Sequence, residues 1–285
     1  MPVLSINTLQ EYQRSTFRID SRSRLRNPDQ AVDFVNQRGF VFFWPLKSIR
    51  FPSLWTAVAG DRPVADAHDD PGHVTWGWKD SLLGKKRWYY AKVLRRRGTF
   101  LSNQLVPYFY ALSENFGAPE EDYLIQYQEG HLSQEARQVY EVLLDRGPLD
   151  TIALRKAAHL TSRESETRFN KALDQLMANF NILPVGTCEA GGWHYSYLYD
   201  TVSHQYPALP EQARPIQQPA ARVEILTWYF NSLGAATGQD IQHLFQWKSD
   251  PVQKTLEILL TAGTIRDEIT LVGQGEKYYA IPQLL

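Results

Sequence analysis

Residues 131–285 carry the same order of elements twice, helix, helix, helix, hairpin, and a repeated supersecondary unit restricts this 285-residue fold more than composition does. In the first copy Ser133 opens a helix with Ala136, Val139, Tyr140, Leu143 and Leu144 along one face, and Gly147-Pro148 closes it. DTIALRKAAHL reads as a second, shorter helix. Thr161 and Glu164 have the spacing of a capping box ahead of a third, striped by Phe169, Ala172, Leu173, Leu176, Met177 and Phe180. NILPVGTC and WHYSYLY then read as a hairpin turning at Glu189-Ala190-Gly191-Gly192.

The Pro-rich linker YPALPEQARPIQQP leads to the second copy. Arg222 to Leu233 supplies its first helix, GQDIQHLF its second, and Asp250-Pro251 opens the third, striped by Val252, Leu256, Leu259 and Leu260. TIRDEITLVGQGEKYYAIP closes it with a hairpin turning at Gly273 to Glu276. Three helices and a two-stranded wing make the winged form of the helix-turn-helix. The expected fold is therefore mainly α with small β-hairpins (α+β), with tandem winged-helix domains over 131–205 and 218–285. Their third helices carry few cations, chiefly Arg163 and Lys171 in the first, which argues against a dedicated sequence reader.

Ahead of the repeat, EYQRSTFRIDSRSRLR within residues 1–28 reads as a basic N-terminal arm, and residues 29–130 as an aromatic, basic, winged-helix-like domain. In that domain DQAVDFVNQRG gives a helix ending at Gly39, and FVFFWP a buried strand. KDSLLGKKRWYYAKVLRRRGTF reads as a helix from Asp80 to Gly98. The acidic SENFGAPEEDYLIQYQEG, with Gly117 and Pro119, reads as a domain boundary.

Net charge is −1, so nucleic-acid binding has to come from a local patch. Lys79, Lys85, Lys86, Arg87, Lys92, Arg95, Arg96 and Arg97 face the single acid Asp80, with Trp88, Tyr89 and Tyr90 among them. Cations interleaved with aromatics supply phosphate neutralisation and stacking surfaces; a solvated charged face is the plainer alternative. One cysteine, Cys188, leaves no intramolecular disulfide and no thiolate cluster, and no disulfide-linked partner is expected. The amino terminus lacks the features of a secretory signal and no apolar run spans a bilayer, so a cytoplasmic protein is expected, with no membrane partner and no cofactor.

HDDPGHVTWGWKD, residues 68–80, admits three readings. His68, Asp69, Asp70 and His73 are candidate acid/base residues, because a carboxylate beside a histidine can activate water. The same side chains offer metal ligands, at a spacing that matches no established signature. The third reading is a packed turn, with Pro71-Gly72 central in a type II turn, Asp69 or Asp70 bonded to its backbone, and Trp76 and Trp78 buried or forming a wall for an extruded base.

Taken together, RGFVFFWP, KKRWYYAKVLRRR, and the pair RGPLDTIALRKAAHLT...WHYSYLYDTV and LGAATGQDIQHLF...EKYYAIP resemble the AlkZ/YcaQ-type winged-helix DNA glycosylases. The resemblance implies double-stranded DNA as partner and hydrolysis of the N-glycosidic bond of alkylated or cross-linked bases. It also implies a catalytic glutamine, a hydrophobic residue and a second polar residue just after a glycine. Aligned on Gly39, those places hold Phe42, Phe43 and Trp44, and none of them can orient a water. Gln126-Tyr127-Gln128 has the triplet's composition at the wrong distance from Gly39. A base-excision glycosylase and a non-catalytic regulator or lesion sensor therefore stand side by side, with a protein-interaction scaffold as a third reading.

Overall fold

In the computed structural model, which describes residues 3–191, 194–271 and 276–285, the fold is α+β and mainly helical. The chain forms two compact units, one from Met1–Trp78, Phe100–Leu105 and Gln218–Leu285, the other from Lys79–Thr99 and Val106–Gln217.

The second unit contains the first copy of the repeat. Helix Gln134–Arg146 starts where Ser133 accepts a hydrogen bond from the Ala136 amide. Strand Leu149–Asp150, helix Thr151–Ala157 and helix Glu166–Ala178 follow. The hairpin Ile182–Cys188 and Ser196–Thr201 pairs Ile182 with Thr201 and Cys188 with Ser196; Leu149–Asp150 adds to its outer side, so the returning strand lies in the middle. The core is the helix stripe read from the sequence, Val139, Tyr140, Leu143, Phe169, Leu173 and Leu176, joined by Tyr89, whose ring stacks on Phe180 at 5.1 Å. A fully buried Phe or Leu contributes about 1.5–3 kcal/mol, so this stripe is a large part of what holds the unit together. The expected capping box is not formed. Ser165 occupies the N-cap position, but its hydroxyl donates to the Ser162 carbonyl at 2.7 Å and caps nothing.

Two further expectations for this unit are corrected. The stretch from Asp80 to Gly98 is not one helix: a helix ends at Leu82, and Tyr89–Leu94 and Arg97–Leu101 form a hairpin around Arg95 and Arg96. Tyr89, Ala91 and Leu94 are buried, while Tyr90 and Lys92 between them are partly exposed, a near-alternating pattern that only a strand produces from consecutive residues. Nor is 113–130 a linker, because residues 106–217 run continuously within the unit. Asp122 is buried there and accepts the amides of Phe116, Gly117 and Ala118, and Gln126 is buried with Nε2 on the Glu114 carbonyl, so the Gln126-Tyr127-Gln128 triplet is a packed helix.

The first unit contains the second copy, in helix Gln218–Leu233, strand Ala235–Ala236, helices Gly238–Phe245 and Ser249–Thr261, and strands Arg266–Leu271 and Lys277–Ala280. Its sheet order again places the returning strand between the other two. Thr237 and Asp240 form a true capping box on the middle helix. The turns expected at Gly273–Glu276 and Glu189–Gly192 lie partly outside the described residues.

The same chain order occurs a third time upstream, as helix Pro28–Arg38, strand Phe40–Phe42, helices Leu54–Ala59 and Val74–Leu82, and the Tyr89–Leu101 hairpin. Gly39 ends the first of these helices at φ +77°, and a Cβ there would sit 2.8 Å from the Trp228 indole, so both backbone and packing require glycine. An aromatic file, Phe40 on Phe51 at 4.7 Å, Phe51 on Tyr229 at 5.6 Å and Tyr229 against Phe245 at 5.6 Å, runs through the core of this unit.

The basic arm expected over 1–28 is corrected as well. Val3–Leu4 pairs in parallel with the strand Arg266–Leu271, Ser5 caps helix Ile6–Thr16, and Phe17, Ile19 and Leu25 are buried. The arginines share the segment with enough apolar side chains to anchor it.

Candidate nucleic-acid interface

In the first unit the apolar run 40–45 leaves the core as it ends. Phe42 is buried and Phe43 nearly so, while Trp44 turns outward with 37% of its surface exposed. Its indole stacks on Phe43 at 5.4 Å and 17°, and Trp76 meets both rings at 5.8 Å. Trp76 is also 37% exposed, with exposed Val74 on the same helix. The result is an aromatic surface backed by the core and open to solvent, the kind of surface on which a base stacks. Trp44 was not among the sequence-derived binding residues; its signal was its place as the last aromatic before Pro45, where a buried strand has to end. Trp78 is buried and serves packing.

The segment before Trp76 is built from Asp70. One of its carboxylate oxygens accepts from the Gly72 amide at 2.7 Å and from Arg62 at 2.6 Å. The Arg62 hydrogen bond, with the Gly72 amide second, holds this carboxyl below the usual range. Asp70 is thus an ionised cap whose Oδ1 is shared between the Gly72 amide and Arg62. Pro71–His73 is a 3-10 turn rather than the expected type II turn, because Gly72 does not take a positive φ. Glycine is needed there for space, since a Cβ would lie 2.9 Å from the Trp55 ring. His73 Nε2 lies 2.9 Å from the Ala65 carbonyl, so that nitrogen donates and Nδ1 carries the lone pair of the neutral ring; Trp44 lies 6.3 Å away, ring to ring. His68 and Asp69 are exposed. Among the described residues no three His, Cys, Asp or Glu side chains converge as a metal site, so the metal reading of 68–73 gains no geometric basis.

In the second unit the sequence-derived cations divide. Lys79 is fully buried and its ammonium pairs with Asp80 at 2.8 Å, bonds to the Tyr197 hydroxyl and faces the Tyr197 ring at 4.5 Å. Burial lowers its pKa, and Asp80 opposes that shift. Lys79 is therefore corrected from a phosphate contact to a core ion pair. Lys92 pairs with Asp174 at 2.6 Å and is largely neutralised too. Lys85, Lys86 and Arg87 are exposed in the turn before the hairpin, where Lys86 also lies 5.7 Å from the Tyr206 ring centre.

Arg95 and Arg96 form the two-residue hairpin turn at φ 54° and 52°, followed by Arg97. Two consecutive positive φ values mark a type I′ turn, for which Asn-Gly is the preferred sequence. Lys85, Arg95, Arg96 and Arg97 meet no carboxylate at ion-pair distance among the described residues. Arg163 and Lys171 are exposed around helix Glu166–Ala178.

A model of the AlkZ-related family matches residues 25–246. No curated protein matches the sequence. Among solved structures the chain is similar to the DNA glycosylase AlkZ of Streptomyces sahachiroi, with a TM-score of 0.63 at 13% identity over 99% of this chain and 71% of that one. At that identity the likeness is one of fold.

Proposed function

Because the chain belongs to the AlkZ-related family, we propose that it binds double-stranded DNA through winged-helix units, among them 131–205 and 218–285, as a relative of the base-excision glycosylases. The observation that carries this reading is the Arg95-Arg96-Arg97 hairpin tip, which presents guanidinium groups that no described carboxylate neutralises. Phosphate contact releases counterions in proportion to such groups. Lys85, Lys86 and Arg87 extend the cationic surface, with Arg163 and Lys171 as further contacts. Trp44 and Trp76 supply the face for an unstacked base.

The geometry narrows the chemistry available for hydrolysis. Asp70 is occupied as a cap, which leaves Asp69, His68 and the Nδ1 of His73 as the acid/base candidates. Phe42 and Trp44, where the resemblance places water-holding residues, favour a second reading in which the protein recognises a lesion without turnover.

Fluorescence anisotropy on duplexes with and without an alkylated base tests both. Replacing Arg95, Arg96 and Arg97 by Ala should flatten the log–log salt slope by about 2.7, at about 0.9 per lost phosphate contact; an unchanged slope refutes the DNA reading. Abasic product from the bound alkylated duplex, lost in Asp69→Asn or His73→Ala, identifies the hydrolase, and binding without product identifies the sensor.

A further inference from the structure

A cleft of about 550 Å3 opens in the unit formed by the two ends of the chain, lined by none of the residues assigned above to DNA. Its volume falls within the range of sites for small organic ligands, roughly 300–1,000 Å3. Helix Ile6–Thr16 forms one wall, the loop Ser48 to Arg50 another, and Leu233, Ala235 and Leu271 an apolar floor. Ala235 and Leu271 belong to the buried cluster with Leu4, Ile269 and Ala280, so the floor is held rigidly from behind.

The polar side of the cleft is arranged around Arg50. Gln13 is only 4% exposed, and its Nε2 donates to the Leu233 carbonyl at 2.9 Å. That bond fixes which end of the amide is oxygen, and Oε1 accepts from Arg50 Nε at 2.6 Å. A buried amide therefore orients an arginine that is itself half-exposed. The terminal nitrogens of Arg50 meet Asp61 only at 3.9 Å, with both side chains more than half exposed, which makes a weak pair. Arg50 also lies 5.7 Å from the Phe17 ring centre. The other charged groups lining the cleft have partners: Arg14 is paired with Asp20, and Asp240 accepts from the Thr237 amide and hydroxyl at 2.8 Å. His243 Nε2 lies 3.3 Å from the Ser48 hydroxyl. An oriented guanidinium with a lightly engaged outer edge suits the planar two-oxygen face of a carboxylate or phosphate.

We propose that this cleft binds a small organic anion of mononucleotide size, with its phosphate or carboxylate on Arg50 and its ring against the partly exposed Ile6, Leu9 and Tyr278, which pack on the buried floor. The wall from Ile6 to Arg14 and the floor at Leu271 lie outside the segment matched by the family model. The site is independent of DNA binding and stands or falls separately.

Calorimetric titration of the full chain with adenosine 5′-monophosphate, phenyl phosphate, adenosine and inorganic phosphate tests it. At least one of the two ring-bearing anions should bind about tenfold more tightly than adenosine or inorganic phosphate, a difference of about 1.4 kcal/mol. Arg50→Gln should erase that preference, Arg50→Lys should keep part of it, and Leu9→Trp should block the cleft. Failure of both ring-bearing anions to bind, or unchanged binding by Arg50→Gln, overturns the proposal. Duplex affinity should be the same in Arg50→Gln and wild type; a tenfold loss there would assign Arg50 to the DNA backbone and also overturn it.

Discussion

Replacing Arg95 and Arg96 by Asn and Gly should make the protein more stable and a weaker DNA binder at once. Both arginines occupy the left-handed region, at φ 54° and 52°, where an L-residue with a full side chain is disfavoured by about 1 kcal/mol or more. Asn-Gly is the sequence a type I′ turn prefers, so about 2 kcal/mol of strain is relieved. Glycine returns about 0.5–1 kcal/mol through the entropy of the unfolded chain, leaving a net gain of about 1 kcal/mol. Neither arginine has an ion pair among the described residues, so no compensating loss is expected from that source. Urea unfolding of the full chain, followed by circular dichroism, reads this as a later transition at unchanged slope. On the DNA side two phosphate contacts disappear, which lowers the salt slope by about 1.8 and makes a fourfold rise in salt cost roughly tenfold less affinity than in wild type. A variant with unchanged salt dependence would show that the tip does not touch phosphate. A less stable variant would show that the arginines hold the turn through contacts outweighing their strain.

Three other outcomes follow from particular residues. Gly39→Ala combines a positive φ with a Cβ 2.8 Å from Trp228 and should cost about 2–4 kcal/mol in urea unfolding; a loss under 1 kcal/mol would mean the indole moves aside freely. Burial raises the Tyr206 phenol to about 12, and a raised phenol contributes stability that is present below pH 10 and is lost as pH climbs towards 12, so Tyr206→Phe should flatten that fall in unfolding titrations. Trp44→Ala and Trp76→Ala should each weaken binding to a duplex with an unpaired base by about 1–3 kcal/mol, with little change on a fully paired one; equal losses on both would make the pair structural.

The repeat was legible because its signals are local. Ser133 and Asp150 cap the helices they precede, the helix expected from Arg222 ends at Leu233, and the stripe from Phe169 to Phe180 is buried as its spacing required. Where two local signals overlap, the sequence is ambiguous. In KKRWYYAKVLRRRG the Trp-Tyr-Tyr and Val positions favour a strand while the dense Lys and Arg suit a helix equally, and Arg-Arg does not mark a turn as Asn-Gly does. At the amino terminus the arginines likewise share the segment with Leu4, Ile6, Leu9, Phe17 and Ile19, which tie it down.

The sequence by itself determined which segments would be helices and hairpins in the repeated half, that their faces would be buried, and that the front third would hold half of the lysines and arginines and most of the tryptophans. Only the tertiary structure decided which charges remain available. Lys79 and Arg95 look alike in sequence, yet one lies in the core against Asp80 and Tyr197 while the other sits at a hairpin tip, and Asp70 is committed to Arg62 while Asp69 beside it is exposed. The physical reason is one of range. Periodicity and capping act within a turn or two of the chain, whereas whether a charge is buried is decided by packing that can come from far along it, as Tyr197 covers Lys79 from 118 positions away.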